Sequence, residues 1–138
     1  MAEIFVAHES EQQNYAKELA ERLRGLGHSV HSLAVDRYPV ADVMHLFILS
    51  LSEQSDAAFV LISARPEGSV WISRELRHWY EQLANVFPCY LPGVSIPDWW
   101  QGVIGCLRFE SAEGVALTNC VQLGLNSRGG GPGNGGRS

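Results

Sequence analysis

Lysine is nearly absent from this sequence. Lys17 is the only lysine in 138 residues, and ten basic residues stand against fifteen acidic ones, a formal net charge of −5. Surfaces that bind nucleic acids through their phosphates need clustered positive charge. We therefore expect no direct binding to nucleic acid.

Long apolar runs, leader signals and paired cysteines are also missing. The longest apolar runs, such as 57–62, are far shorter than the roughly 20 residues that span a membrane. No basic region followed by a long apolar stretch marks a signal peptide near the N-terminus. The cysteines form no C-x-x-C pair, and their odd number fits a reducing compartment. The three cysteines are Cys89, Cys106 and Cys120. We expect a cytoplasmic protein without a metal site or membrane contact.

The composition is that of one globular domain. Apolar residues make up 46% of the chain and charged residues 18%, and a chain of this length folds without a metal or a disulfide. Glycine dominates the last residues, which have no apolar anchor. The sequence predicts a domain over residues 1–126, and a flexible tail or linker over residues 127–138.

Apolar patterning predicts alternating strands and helices. Strands are predicted at 3–8, 29–35, 56–62, 86–91 and 104–109. Ser10 is expected to cap a first helix with the stripe Tyr15, Leu19, Leu23 and Leu26, ended by Gly25 and Gly27. Asp42 is expected to cap an apolar helix over 43–51, and Ser69 a helix with the stripe Ile72, Leu76, Trp79 and Leu83. A short helical turn at 97–100 and a last helix at 112–125 complete the pattern.

This alternation predicts an α/β fold. Five strands joined by right-handed crossovers fit a flavodoxin-like five-stranded parallel sheet, order 2-1-3-4-5, with helices on both faces. Ligands of such sheets bind beyond the carboxyl ends of the strands, at the switch point between strands one and three. That rule selects the segments 8–10 and 63–71, the second leading to the helix with Glu75.

Several chemistries common on this architecture have no motif here. The sequence contains no G-x-G-x-x-G after the first strand, no phosphate-binding G-x-x-x-x-G-K-[ST] and no G-x-S-x-G elbow. The loop after the first strand lacks a flavin-phosphate cradle. Strand three ends at Ser63 where a phospho-acceptor receiver needs aspartate.

Trp71 and Glu75 lie four residues apart, on one face of a predicted helix. A carboxylate beside an aromatic ring at the switch point can hydrogen-bond ribose hydroxyls and stabilise an oxocarbenium-like centre. The structural alternative is a core tryptophan next to a solvated glutamate.

These segments resemble a TIR (Toll/interleukin-1 receptor) domain of the kind common in bacterial immune proteins. The run 4–10 is similar to the family's first box, and 36–42 falls at its BB loop. The run 56–63 is similar to its third strand, and Ser69, Trp71, Glu75 and Leu76 resemble its S-x-W-x-x-x-E-L signature. The resemblance covers residues 3–110. Ala7 stands where serine is usual, and Ala41 stands where the BB loop usually has glycine.

The resemblance implies an NAD+ nucleosidase, with Glu75 as catalytic residue and Trp71 beside the substrate. Cleavage of the nicotinamide–ribose bond gives nicotinamide and ADP-ribose, or a cyclic ADP-ribose. NAD+ is then the substrate, and no cofactor is needed. It also implies activation by self-association, as a dimer or filament, and a role in innate immunity or antiphage defence. The glycine-rich tail suggests a fused or separate sensor module.

Other residues near the switch point are candidate substrate contacts, each with a structural alternative. His8 contacts the nucleotide or forms a turn, and Glu9 and Ser10 bind the ligand or cap the helix. Asp36 and Arg37 line the pocket mouth or form a solvated turn. Ser63 ends the third strand at the same edge.

Two other functions fit the same residues. The first is a non-enzymatic TIR adaptor that acts through homotypic association, with the apolar helix and the BB loop as its interface. The second is an enzyme that cleaves a different N-glycoside. Glu75 separates enzyme from adaptor, because an adaptor has no chemical need for that carboxylate.

Overall fold

A computed structural model describes residues 2–35, 41–63, 74–98 and 106–129. The strands are β1 (Glu3–His8), β2 (Ser29–Ala34), β3 (Ala57–Ile62), β4 (Val86–Tyr90) and β5 (Leu107–Arg108). The helices are α1 (Gln13–Gly25), α2 (Ala41–Gln54), α3 (Arg74–Gln82) and α4 (Gly114–Gly129). Short 3₁₀ turns cover Ser10–Gln12 and Phe109–Ser111.

The strands form one parallel sheet in the order β2-β1-β3-β4-β5. The predicted fold class is confirmed by this order. All six residues of β3 are buried, as expected for a central strand covered on both faces.

Helices cover both faces of this sheet. Because the chain moves outward from β1 to β2 and then back to β3, right-handed crossovers place α1 on one face and α2 and α3 on the other. Contacts between α2 and α3 agree with this arrangement. Arg22 of α1 donates hydrogen bonds to the carbonyl oxygens of Phe109 (2.8 Å) and Ala112 (3.0 Å), which ties α1 to the segment preceding α4.

The buried face of α1 is narrower than predicted. Leu19 and Leu23 are buried, together with Ala16 and Ala20. Tyr15 and Leu26, both predicted in the stripe, are 36% and 39% exposed. Tyr15 instead packs edge-on against Phe109, with ring centroids 5.1 Å apart.

Two predicted helix caps are wrong. Ser10 begins the first 3₁₀ turn, and Glu9 occupies the cap position without a side-chain hydrogen bond. Asp42 lies inside α2, which begins at Ala41, whereas a cap residue needs non-helical backbone. Ser69 lies outside the described residues. The predicted end of α1 is confirmed, since the helix stops at Gly25 and Gly27 has a positive φ of 96°.

Element ends differ from prediction in the C-terminal part. The fifth strand is limited to Leu107–Arg108, because a 3₁₀ turn begins at Phe109. Helix α4 continues to Gly129, so residues 127–129 of the predicted tail are helical. Residues 130–138 lie outside the described part of the chain. In the described ranges, no helix has the length and hydrophobicity needed to cross a membrane.

Candidate functional site

The carboxyl edge of the sheet brings the ends of β1 and β3 together. Ala7 is aligned with Val60 in the parallel register, so Ser10 and Ser63 each follow that pair by three residues. His8 ends β1, and Ser63 follows β3 directly. Because β1 is flanked by β2 and β3, this edge is the switch point at which such sheets bind ligands.

His8 is held firmly at this edge. Its side chain is 4% exposed, and Nδ1 lies 2.8 Å from the carbonyl oxygen of Glu9. A carbonyl oxygen only accepts, so Nδ1 carries the proton and donates. In the neutral ring, Nε2 is therefore the acceptor nitrogen.

His8 lies on the face of the sheet that α1 covers. It lines a groove of about 400 Å³ together with residues of α1 and β2. Ser10 lines the same groove, so the structure brings these two predicted residues together. The full lining is His8, Ser10, Gln13, Ala16, Lys17, Ala20, Arg24, Ser32 and Ala34. Glu9 is half-buried and is not part of this lining.

Glu75 is the second residue of α3. This helix follows β3 and lies on the face opposite α1. The Glu75 side chain is outside the described part of the structure, as are residues Trp71, Asp36 and Arg37. On the described part of α3, Arg77 pairs with Glu81 at 3.3 Å, and Tyr80 is buried. Tyr80 was not in the predicted stripe.

Tyr90 ends β4 at the same carboxyl edge. Within the described part of the chain its buried hydroxyl has no hydrogen-bond partner. Burial raises the pKa of Tyr90, and that of Tyr80, well above the usual value for a phenol. Both phenols therefore stay neutral at physiological pH, and neither supplies a base.

Two of the three cysteines, Cys89 and Cys120, give the site no nucleophile. All three are free thiols. Burial raises the pKa of Cys89 to about 12 and that of Cys120 to about 11. Since the thiolate is the reactive form, these two thiols are inert near neutral pH. Among the described residues, no three His, Cys, Asp or Glu side chains form a metal-binding group.

A second cavity, of about 520 Å³, lies at the opposite edge of the sheet. Its lining includes Ser52, in the last turn of α2, and Asn85, directly before β4. Asn85 is 3% exposed, and its amide groups bond to Ser52 and Ser55. These hydrogen bonds link the end of α2 to the start of β4.

Sequence reasoning missed the residues of the groove other than His8 and Ser10. Gln13, Lys17 and Arg24 recur on one side of α1, and Ser32 and Ala34 alternate along β2. This spacing was a usable signal for a shared surface. The sequence does not show that α1 packs against β2 through small side chains, and this packing is what forms the groove.

Comparisons with known proteins give only distant likenesses. No family model and no curated protein matches the chain. A diflavin flavoprotein A3 from Nostoc sp. is similar at 11% identity and a TM-score of 0.47, with 90% of this chain and 89% of that chain covered. A ribose 5-phosphate isomerase from Thermotoga maritima is similar at 17% identity and a TM-score of 0.42, with 88% and 97% covered. Neither is a TIR domain, and at these scores neither bears on what this chain binds.

Proposed function

We propose that this protein is a TIR-type NAD+ nucleosidase that acts in the cytoplasm. It cleaves the nicotinamide–ribose bond and releases nicotinamide, with ADP-ribose or a cyclic ADP-ribose as the second product. The observation that carries the proposal is the position of Glu75 in the signature S-x-W-x-x-x-E-L, on the helix that follows β3. The strand order, with its switch point beside β3, supports the proposal.

Cleavage of the nicotinamide–ribose bond requires one well-placed carboxylate from the protein. Nicotinamide leaves NAD+ as a neutral molecule, so protonation of the leaving group is unnecessary. Positive charge develops on the ribose as the bond breaks, and a carboxylate fixed beside it stabilises that charge. Glu75 takes this role, and Trp71 supplies an apolar wall for the base or the ribose.

The second product depends on what captures the ribose centre. Water gives ADP-ribose, whereas an adenine nitrogen of the same molecule gives a cyclic product. In both cases the bond to nicotinamide breaks first, so release of nicotinamide measures the reaction for either outcome. Substrate contacts from His8, Glu9, Ser10 and Ser63, and from Asp36 and Arg37, belong to this proposal.

The first test is nicotinamide release from NAD+ by concentrated protein, with wild type and Glu75→Gln compared side by side. The substitution keeps the size of the side chain and removes its charge. We expect the rate to fall by about 100-fold or more, the usual cost of removing one electrostatic stabiliser. Far-ultraviolet circular dichroism checks that the fold is intact. Full activity in the variant would refute the role of Glu75.

A second candidate is a non-enzymatic TIR adaptor. One observation favours it: Leu46 in the apolar helix α2 is 62% exposed, whereas Ile48 and Leu51 of the same helix are buried. An exposed leucine of this kind suits homotypic association. The adaptor and the enzyme are distinguished by the nicotinamide assay, because an adaptor releases none at any concentration.

A further inference from the structure

The groove between α1 and β2 exists because the side chains that face it are small. Ala16 and Ala20 lie on the α1 side, and Ser32 and Ala34 lie on the β2 side. Larger apolar residues at these positions would close the space between helix and strand. The resulting volume of about 400 Å³ falls within the range of roughly 300–1,000 Å³ that small-molecule sites occupy.

The polar groups of the groove suit a ligand that carries hydroxyls. His8 is the best fixed, since it is 4% exposed and its Nδ1 is committed to the Glu9 carbonyl oxygen. Its Nε2 can accept a hydrogen bond from a ligand hydroxyl. Hydroxyls of Ser10 and Ser32 and the Gln13 amide line the same space. These three side chains donate and accept, as a polyol requires.

The charge of the groove is positive in a protein of net charge −5. Its formally charged lining residues are Lys17 and Arg24, and no carboxylate lines it. Arg24 donates from Nη2 to the Val30 carbonyl oxygen at 3.0 Å, which fixes the guanidinium beside β2. The salt bridges between described residues do not include Lys17. An anion therefore fits this groove better than a cation does.

We propose that this groove binds a phosphoryl group carried by a small hydroxylated molecule. The Lys17 ammonium and the Arg24 guanidinium neutralise the phosphoryl oxygens. His8, Ser10, Gln13 and Ser32 hydrogen-bond the hydroxyls. Lys17 and Arg24 lie on α1, on the face of the sheet opposite α3 and Glu75. His8 and Ser10, at the carboxyl edge, belong both to this groove and to the proposed NAD+ contacts.

Two sources can supply this chemistry: a free phosphate monoester, or the diphosphate and ribose of NAD+. Ribose 5-phosphate probes the first source and NAD+ the second. Ribose without phosphate tests whether the phosphoryl group is required. The NAD+ arm alone rests on the proposed function. NAD+ binding is measured with Glu75→Gln protein so that little NAD+ is consumed during the titration.

The experiment is a titration of ¹⁵N-labelled protein, followed by amide chemical shifts. We expect saturable shifts at Ser10, Gln13, Lys17 and Ser32 with ribose 5-phosphate, NAD+ or both, and none with ribose. Lys17→Gln should weaken that binding by about tenfold or more, because one charge-assisted contact is lost. Ala34→Leu should block binding by filling the groove. Both positions are exposed, so the fold should tolerate both changes.

Arg77→Gln is the matched control. It removes one positive charge from α3, on the opposite face, and should leave the dissociation constant unchanged. The proposal is overturned if no probe gives saturable shifts at millimolar concentration, if ribose binds as well as ribose 5-phosphate, or if Lys17→Gln and Arg77→Gln weaken binding equally. Silence of the wild type in the nicotinamide assay, or full activity of Glu75→Gln, would refute the proposed function and leave the ribose 5-phosphate result unaffected, so the two proposals fail separately.

Discussion

Asn85 shows how one polar side chain can join two elements. Its Nδ2 donates to the carbonyl oxygens of Ser52 (2.9 Å) and Ser55 (3.1 Å), and its Oδ1 accepts from the Ser52 hydroxyl at 2.7 Å. The side chain is almost fully buried between the end of α2 and the start of β4. A buried amide whose groups are all satisfied fixes the geometry around it.

We predict that Asn85→Ala lowers the free energy of unfolding by about 2–3 kcal/mol. Three hydrogen bonds are lost. The buried Ser55 carbonyl oxygen and the partly buried Ser52 carbonyl oxygen both lose this donor. Urea denaturation measures the change. Asn126→Ala is the control, since Asn126 is exposed and accepts a hydrogen bond from Gln122 within α4. It should change stability by no more than about 0.5 kcal/mol.

For single residues, the sequence predicts where some of them lie along a strand. It does not predict which face of the sheet their side chains point to. The end of β1 at His8 was predictable from the apolar run that precedes it. Period-two alternation separates its side chains into two sets. It does not say which set faces α1, because that depends on crossover direction and packing. For Asn85, no local pattern marks a residue whose partners are 30 and 33 positions away.

At the scale of elements, helix α4 approaches the sheet closely at Gly124. A Cβ built on Gly124 would collide with the Asp56 carbonyl oxygen and lie 3.3 Å from the Ala57 Cβ. Glycine is therefore required here for close approach of the helix. Periodicity over 112–125 predicts this helix, but its weak apolar pattern gives no clear end.

We predict opposite results for two glycine-to-alanine changes. Gly124→Ala should destabilise the protein by about 1–3 kcal/mol, because displacement of α4 costs more than the roughly 1 kcal/mol gained in helix propensity. Gly25→Ala, at the end of α1, meets nothing within 4 Å and should be neutral or stabilising by up to about 1 kcal/mol. Thermal and urea denaturation compare the two. Equal effects would show that α4 does not contact the sheet at Gly124.

For the whole molecule, the strand order was predictable and the groove was not. Buried and alternating strands with intervening helices leave few parallel topologies once crossovers are right-handed, and the observed order is the predicted one. The groove depends on how the small side chains of α1 meet those of β2. That match of shapes arises only when the two elements are packed together.

Self-association is also a property of the whole molecule. If the active form is assembled, the rate of nicotinamide release should rise faster than linearly with protein concentration. Leu46→Asp should lower both the sedimentation coefficient of concentrated protein and this excess rate, because it replaces the exposed leucine of α2 with a charged residue. Val115→Asp is a control, since Val115 is 76% exposed on α4. A rate strictly proportional to concentration would contradict an assembled active form.

The most direct measurement is the time course of nicotinamide release by concentrated wild type, Glu75→Gln and Glu81→Gln. Glu81 lies on the same helix and pairs with Arg77 at the surface, so its substitution controls for loss of a charge from α3. We predict release by wild type and Glu81→Gln, and a rate lower by about 100-fold or more in Glu75→Gln. Silence of the wild type at every concentration, or equal rates in all three proteins, would contradict the account.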